Sequence, residues 1–564
     1  MEERQMKHET IIGIDLGTST TEAAVFRNGR VEMIPGYDGE VIIPSAVGIN
    51  ETGSWVIGKR AYDQLLLSPE KTAIEVKRKI GTGERIPIGN TSYSALELSA
   101  KILEYVRSYA SETLGEEIRS AVISVPAYFN DRQRQETMLA GKMAGFHVER
   151  ILNEPTAAAL SYGLEHMEEE SHILVYDLGG GTFDVTLLEM FEGVLDVKAS
   201  SGDNQLGGKD FDELLADYLR EAFYDTYKRS LPDEARINMI LKNEAEKCKK
   251  TLSGEDQCRV IIPALTVIDG KPAALDVTIT REEFEAISQP LLQRTHPPID
   301  VVLSDSGISR DEIDRIILVG GSTRMPMIEK DIEAYLGIAP MKAVNPDYAV
   351  SEGTSIEAAI ISEEIDPSEG ILLTDVNPYT LGVRAVSDFD PDCMVVIIPR
   401  NVTIPVRRTE TFSTFYDFQT EARVEVFQGE HRKASMNHFL GTFILKGIPS
   451  AKADREKIDV TFSYDQNGIL GVKGTITSTG KEAELEINLM EEMNIDTWSE
   501  YPLADEYRRL IRRAERMMKK LEDDEWRKIS LTSLLQTIKY EIIHNDSAGA
   551  STTAEKLQKF TEEK

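Results

Sequence analysis

Positive charge is scarce in this sequence. Across 564 residues, 63 lysines and arginines face 96 aspartates and glutamates, giving a net charge of −33. Such a chain repels phosphate backbones, which excludes nucleic acid as a general partner. Cysteine is nearly absent. Cys248, Cys258 and Cys393 are odd in number and form no CxxC pair, which excludes a disulfide framework and a structural zinc site and suits a reducing compartment. No apolar run approaches the length of a membrane span, and the opening MEERQMKHET is charged, without the apolar stretch of a secretory leader. The expectation is a cytoplasmic monomer with no membrane partner.

The chain is too long for one core, so about three domains are expected. Residues 10 to about 365 alternate apolar strands, such as SAVISVPAY (120–128), HILVYDLG (172–179) and DRIILVGGST (314–323), with amphipathic helices. That is an α/β pattern. After Pro378 the period changes to two, as in EARVEVFQG (421–429) and KIDVTFSYDQNGILGVKGTI (457–476). The second carries Asn467-Gly468, a strong hairpin signal. An antiparallel β domain follows from this. Beyond about residue 495, Leu503, Tyr507, Leu510, Ala514, Met517 and Leu521 recur at helical steps, and Leu534, Leu535, Ile538 and Ile542 predict a second helix. The polar end, NDSAGASTTAEKLQKFTEEK, is expected to be loose. Between the first two domains, EGILLTDVNP (369–378) places Ile371, Leu372 and Leu373 in a row. A plain spacer would be polar, so this is either the edge strand of a neighbouring domain or a linker that docks in one functional state.

One corner occurs twice. IGIDLGTSTTEAAV (12–25) and VYDLGGGTFDV (175–185) each run apolar residues into Asp-Leu-Gly and then hydroxyls, about 160 residues apart. Gly17, and Gly179, Gly180 and Gly181, let backbone N–H groups approach phosphate oxygens. Asp15 and Asp177, at the strand ends, aim carboxylates where Mg2+ and its waters would sit. Two such corners suggest a duplicated domain with a nucleotide clamped between the copies. The Walker pattern GxxxxGK[ST] is absent. A third corner, LVGGSTRMP (318–326), presents Gly320, Gly321 and Ser322, and its Arg324 suits a purine face. In NEAEKCKKTLS (243–253), Glu246, Lys249 and Ser253 fall on one helical face and suit an adenosine.

These segments, with VPAYFNDRQRQ, NEPTAAALSYG, LGGKDFD and NPD (345–347), resemble the nucleotide-binding domain of DnaK-type chaperones, the heat shock protein 70 family. DVNPYTLGV, IPRNVTIP, VFQGE, GIP and NGIL extend the resemblance through the β domain. Among its branches, SSGDNQLGG and LLTDVNPYTLGV are most similar to the short HscC-like proteins. The resemblance implies a multidomain chain: an actin-like, ribonuclease H-like duplicated ATPase domain over 1–367, an apolar linker over 368–376, a β-sandwich peptide-binding domain over 377–494, and a shortened helical lid with a loose tail over 495–564.

It also implies roles. Lys77 in EVKRKIG matches the catalytic lysine, with Asp15, Glu154, Asp177 and Thr182 beside it. Thr18, Ser19, Thr20, Gly207, Gly208, Lys250 and Asp347 join the glycine corners in holding ATP or ADP. Asp15, Asp177 and Asp184 would hold Mg2+ and K+, largely through water. Pro126 and Arg134 match a switch proline and relay arginine, acting with Ile371, Leu372, Leu373 and Asp375 of the linker. Arg150 matches a J-domain contact. Extended peptide would lie over Val383, Phe412, Gln419, Ala422 and Val424, under an arch of Val386 and Phe415, although plain sandwich core remains open for the apolar ones. A nucleotide exchange factor is a further implied partner.

Several positions depart from the family pattern. Lys250 stands where an arginine is usual, Thr374 ends the linker's leucine run, Ala422 replaces the pocket's usual valine, and FTEEK replaces an acidic EEVD end. A segment of about two dozen residues that many relatives carry between the catalytic lysine and VPAYFND is missing. The leading reading is therefore a chaperone that binds unfolded or client polypeptides under control of slow ATP hydrolysis. The alternatives are a dedicated regulator of one client using the same cycle, and a sugar kinase or filament-forming actin relative, against which the β domain argues.

Overall fold

The structure is a computed structural model and describes the chain except residues 1–8, 66, 165, 167–168, 342–344, 366–371, 387–391, 486–502, 519–530, 532–533, 536–537, 540–541, 543–546 and 563–564. It divides into two compact units: residues 1–378 with 401–405 and 465–469, and the remainder.

The first unit repeats one plan. In one sheet the strand order is His147–Asn153, Ser120–Val125, Ile11–Leu16, Thr20–Arg27 and Arg30–Met33. In the other it is Arg315–Val319, Ser171–Leu178, Phe183–Phe191, Val194–Asp203, Leu372–Val376 and Thr403–Ile404. Each sheet is built on an antiparallel hairpin, Ile11–Leu16 with Thr20–Arg27 and Ser171–Leu178 with Phe183–Phe191. A parallel strand flanks each hairpin, Ser120–Val125 in one and Arg315–Val319 in the other. The parallel strands are largely apolar because both their faces are covered: all six residues of Ser120–Val125 are buried. Helix Ala349–Ile361 packs on the first hairpin, helix Glu154–Gly163 on the second, and the two helices pack on each other. They cross closely. A Cβ on Gly353 would lie 1.8 Å from the Ala157 carbonyl oxygen, so only glycine fits there.

Farther out, helix Ala95–Leu114 starts on a reciprocal cap between Ser94 and Glu97. Helices Gly208–Tyr227 and Ala235–Gly254 share one core with the ribbon Gln257–Ile268/Lys271–Thr280. The three cysteines are free thiols.

The apolar segment after the α/β region is the last-but-one strand of the second sheet, between Val194–Asp203 and Thr403–Ile404. Leu372, Leu373 and Thr374 pair in parallel with Val194, Leu195 and Asp196. Leu373 packs on the core between the sheets, whereas Leu372 is 63% exposed. Ile371 lies outside the described residues.

The second unit holds two four-stranded antiparallel sheets. Their orders are Cys393–Ile398, Leu381–Ala385, Glu421–Gln428, His438–Lys446, and Val406–Ser413, Lys457–Tyr464, Leu470–Ile476, Glu482–Glu484. Alternation along Lys457–Tyr464 and Leu470–Ile476 buries every second side chain. After the sheets comes helix Ala504–Met518, whose Ile511 and Ala514 share a core with Leu531, Leu535, Ile538 and Ile542. Leu521 lies outside the described residues. The polar end, expected to be loose at least in part, is helical over Ser547–Glu562. Ala550, Ala554, Leu557 and Phe560 join that core at three- and four-residue steps, a stripe diluted by serines and threonines.

Candidate functional site

In the first unit a cavity of about 620 Å3 opens where the strand ends of both hairpins converge. Gly17 turns directly after the Asp15 strand, and a Cβ there would sit 2.3 Å from the Thr20 carbonyl oxygen. The second turn lies against the first. A Cβ on Gly180 would meet Ser19 Oγ at 2.2 Å, and one on Gly181 would meet Thr18 Cγ2 at 2.7 Å. Gly208 N and Ser322 Oγ both donate to the Gly179 carbonyl, at 2.9 and 2.8 Å. A Cβ on Gly207 would meet Gly181 N at 2.4 Å. Gly320, at φ +83°, passes so close to Leu178 O that a Cβ would lie 2.5 Å from it. Four glycine turns far apart in the chain thus crowd together with hydroxyls between them. Of the residues assigned to this site from sequence, Gly17, Thr18, Ser19, Thr20, Gly179, Gly180, Thr182, Gly208, Gly320, Gly321, Ser322 and Asp347 line the cavity. Gly181 and Gly207 stand behind that lining.

The carboxylates gather at the same place. Asp15 accepts a hydrogen bond from Ser124 Oγ at 2.7 Å. Lys77, its side chain 5% exposed, is ion-paired with the buried Glu154 and lies 5.8 Å from the Phe129 ring centre. Burial pushes Asp15, Glu154 and Asp177 above the usual carboxylate range. The neighbouring acids add to this for Glu154 and Asp177, and Lys77 opposes it for all three. Asp184, fully buried, is raised to about 7 by burial and then by Glu154. Its Oδ1 accepts from Tyr128 N at 2.9 Å, and its Oδ2 has no partner. One lysine acts on all four acids. A donor set this rich in carboxylate oxygen and this short of cations suits a hard divalent ion such as Mg2+.

On helix Ala235–Gly254, Glu246, Lys249, Lys250 and Ser253 line the cavity. Glu246 is bonded by Lys209 at 2.9 Å, Lys250 at 2.8 Å and Tyr62 Oη at 3.3 Å. Despite burial, these ammonium groups hold its carboxyl at about 2. Lys249 Nζ bonds Gly208 O at 2.8 Å and Asp212 at 2.7 Å, tying the helix to the glycine turn. Ser253 Oγ donates back to Lys249 O at 3.0 Å. Arg324, half exposed, is held by Asp347 at 2.6 Å. Sequence reasoning missed Tyr62 and Lys209, and also Glu22, which lines the cavity.

A family model described as Hsp70 protein matches residues 11–87 and 82–563. The chain is 42% identical over 514 residues to the chaperone protein DnaK of Thermotoga petrophila, covering 90% of this chain and 84% of that one. To the DnaK of Thermosipho africanus it is 43% identical over 493 residues, 87% and 82% of the two chains. To that of Thermosipho melanesiensis it is 44% identical over 485 residues, 86% and 80%. The chain belongs to the Hsp70 family. It is an ATP-dependent chaperone of the Hsp70 type, with an actin-like ATPase domain and a β-sandwich, and its ATP hydrolysis is coupled to the chaperone cycle. Hsp70 proteins bind ATP or ADP with Mg2+, and DnaK-like chaperones take unfolded polypeptides and J-domain co-chaperones as partners. Among the described residues, no helix is long and apolar enough to cross a membrane.

Beside the cavity, two of the residues assigned from sequence to a switch, Arg134 and Asp375, are joined through Asn153 in a buried network. Arg134 follows the buried Pro126 segment and donates to Ala127 O at 2.9 Å and Asn153 Oδ1 at 2.6 Å. Asn153 Nδ2 donates to Asp375 Oδ2 at 2.8 Å, and Thr156 Oγ1 reaches the same oxygen at 3.3 Å. Arg150, the residue matched to a J-domain contact, is ion-paired with Glu357 and largely buried.

In the sandwich, Val383 and Val424 are buried, Phe412 and Ala422 half-buried, and Val386 and Phe415 exposed. Gln419 accepts from Phe415 N at 3.0 Å and donates to Glu421 O at 2.9 Å, bracing the turn that carries Phe415. Tyr416 and Phe418, not singled out from sequence, are 65% and 64% exposed on the same turn.

Proposed function

We propose that the glycine turns, with Thr18, Ser19, Thr20 and Thr182, grip the phosphates of ATP. On this reading Glu246, Lys249, Lys250, Ser253, Arg324 and Asp347 hold its adenosine. When bound, Mg2+ neutralises phosphate charge, and Asp15, Asp177 and Asp184 hold it and K+ largely through water. Lys77 is the catalytic residue: a buried point charge beside the phosphates stabilises charge that grows on the transferred phosphoryl, and Glu154 orients it. The observation that carries this reading is the buried Lys77–Glu154 pair set among the strand-end acids of two abutting glycine corners.

The ATPase occupies 1–367, the linker 368–376, the sandwich 377–494 and a shortened lid 495–564. Nucleotide state passes through Pro126, Arg134 and Asp375 to the linker strand of Leu372 and Leu373. Extended peptide binds over Val383, Phe412, Gln419, Ala422 and Val424 beneath Val386 and Phe415. Arg150, with Asp375, answers to a J-domain. The protein is a cytoplasmic monomer of the HscC-like branch, served by a nucleotide exchange factor. The test is Lys77→Ala. Single-turnover hydrolysis falls at least about a thousandfold while ATP affinity by isothermal titration stays within about tenfold, because the lysine acts in the transition state and the turns supply ground-state affinity. Hydrolysis retained with affinity lost overturns the assignment.

A further inference from the structure

Thr374 stands where the linker's leucine run stops, and its surroundings give that change a purpose. Along Leu372–Val376 successive side chains leave opposite faces of the sheet. Leu373 packs on the core between the sheets, and Asp375, 5% exposed, is bonded by Asn153 and Thr156. Thr374, half-buried, leaves the other face. There the parallel register sets it beside Asp196, and its Oγ1 donates to Asp196 Oδ1. The other oxygen of that carboxylate is held by Lys198 Nζ at 2.7 Å. Glu189, opposite Asp196 on the next strand, holds the same ammonium at 2.5 Å. Burial would raise the Asp196 carboxyl, yet Lys198 and the Thr374 hydroxyl hold it below the usual range. The hydroxyl therefore donates to a charged acceptor. A leucine at this position would lie against a polar row and leave Asp196 Oδ1 without its donor.

We infer that Thr374 is a positioning residue of the linker: its hydroxyl fastens the strand Leu372–Val376 to the second sheet through Asp196, and so sets how strongly the docked state of the linker is favoured. The inference rests on the proposed role of this strand in carrying nucleotide state. Asp196 and Lys198 both belong to the sheet and keep each other when the strand leaves, whereas the bond to Thr374 exists in the docked strand alone and biases the equilibrium toward it. The bond also fixes register. A slip by two residues would keep every side chain on its face, but it would bring Leu372 or Val376 against Asp196 and carry Asp375 away from Asn153.

The experiment is amide hydrogen exchange at Leu372 in the full chain, saturated with Mg2+ and either ATP or ADP. Leu372 N donates to Gly193 O at 3.0 Å, so its exchange requires the strand to open. In the nucleotide that protects Leu372 more strongly, Thr374→Val, which keeps the shape and removes the hydroxyl, should exchange about fivefold faster than wild type. In the other nucleotide the two proteins should agree within about twofold. Thr374→Ser keeps the donor and should stay within about twofold of wild type in both. Asp196→Ala removes the acceptor and should speed exchange as well, and adding Thr374→Val to it should speed it no further. Thr374→Val exchanging at the wild-type rate in both nucleotides overturns the inference and leaves the linker reading standing. Thr374→Ser exchanging like Thr374→Val, or full additivity with Asp196→Ala, overturns it too. Wild-type exchange that is the same in ATP and ADP overturns the linker reading and the inference together. If circular dichroism shows Thr374→Val unfolded, Thr374→Ala carries the same test.

Discussion

The two glycine corners follow one design with different tolerances. The first has a single glycine, and its missing Cβ avoids the chain's own backbone at Thr20 O. The second has three, and they divide the work: Gly180 and Gly181 make room for Ser19 and Thr18 of the first corner, whereas the nearest atom to a Cβ on Gly179 is 3.7 Å away. The first turn is constrained by itself and the second by its neighbour. The acids set opposite Asp15 and Asp177 across each hairpin differ likewise. Glu22 reaches the cavity, while Asp184 is tied to Tyr128 N behind it.

The largest break in this comparison is expected at Gly17. Gly17→Ala forces a Cβ against a backbone oxygen that cannot rotate away, and overpacking of that kind costs about 1–3 kcal/mol. ADP affinity by isothermal titration should fall at least about tenfold, with a lowered melting temperature. A smaller effect is expected at Asp184, and it depends on pH. Its folded value near 7 lies above the unfolded 3.8, so the native state binds the extra proton between those values. Stability is therefore full below about pH 4, declines as pH rises toward 7, and is lowest above it. Asp184→Asn, which cannot ionise, should raise the melting temperature of the nucleotide- and Mg2+-free protein by about 2–4 °C at pH 8 and by less at pH 5. An equal shift at both pH values would show that Asp184 is not titrating in this window. The smallest effect is expected at Gly179, where alanine meets no close atom: Gly179→Ala should leave ADP affinity within about twofold of wild type. A large loss there would show that the space above Gly179, open in the protein itself, is filled by the bound nucleotide.

Much of this was legible in the sequence because it is local. A strand ending in Asp-Leu-Gly, a helical face at steps of three and seven, and a switch from period 3.6 to period 2 all write themselves into short windows. The abrupt change at Pro378 marked where the α/β texture gives way to the sandwich. What stayed hidden needed two distant windows at once. Glu22 becomes visible when the hairpin register is known, since pairing across the turn is what sets it beside Asp15. Tyr62 and Lys209 reach Glu246 from elements far away in the chain. The pairing of the Arg150 guanidinium could not be read without Glu357, some two hundred residues later. The helix Ser547–Glu562 was hidden differently: its apolar stripe is thin, and polar composition argued for disorder where tertiary burial of Ala550 and Leu557 decides the outcome.

Asn153 and Glu154 are joined by one peptide bond and serve two different networks. Asn153 bridges Arg134 to Asp375 in the linker strand, and Glu154 holds Lys77 at the cavity. The next residue is Pro155, which fixes the backbone where the helix begins. One stiff helix start thus anchors both networks, with their two anchoring side chains set one residue apart.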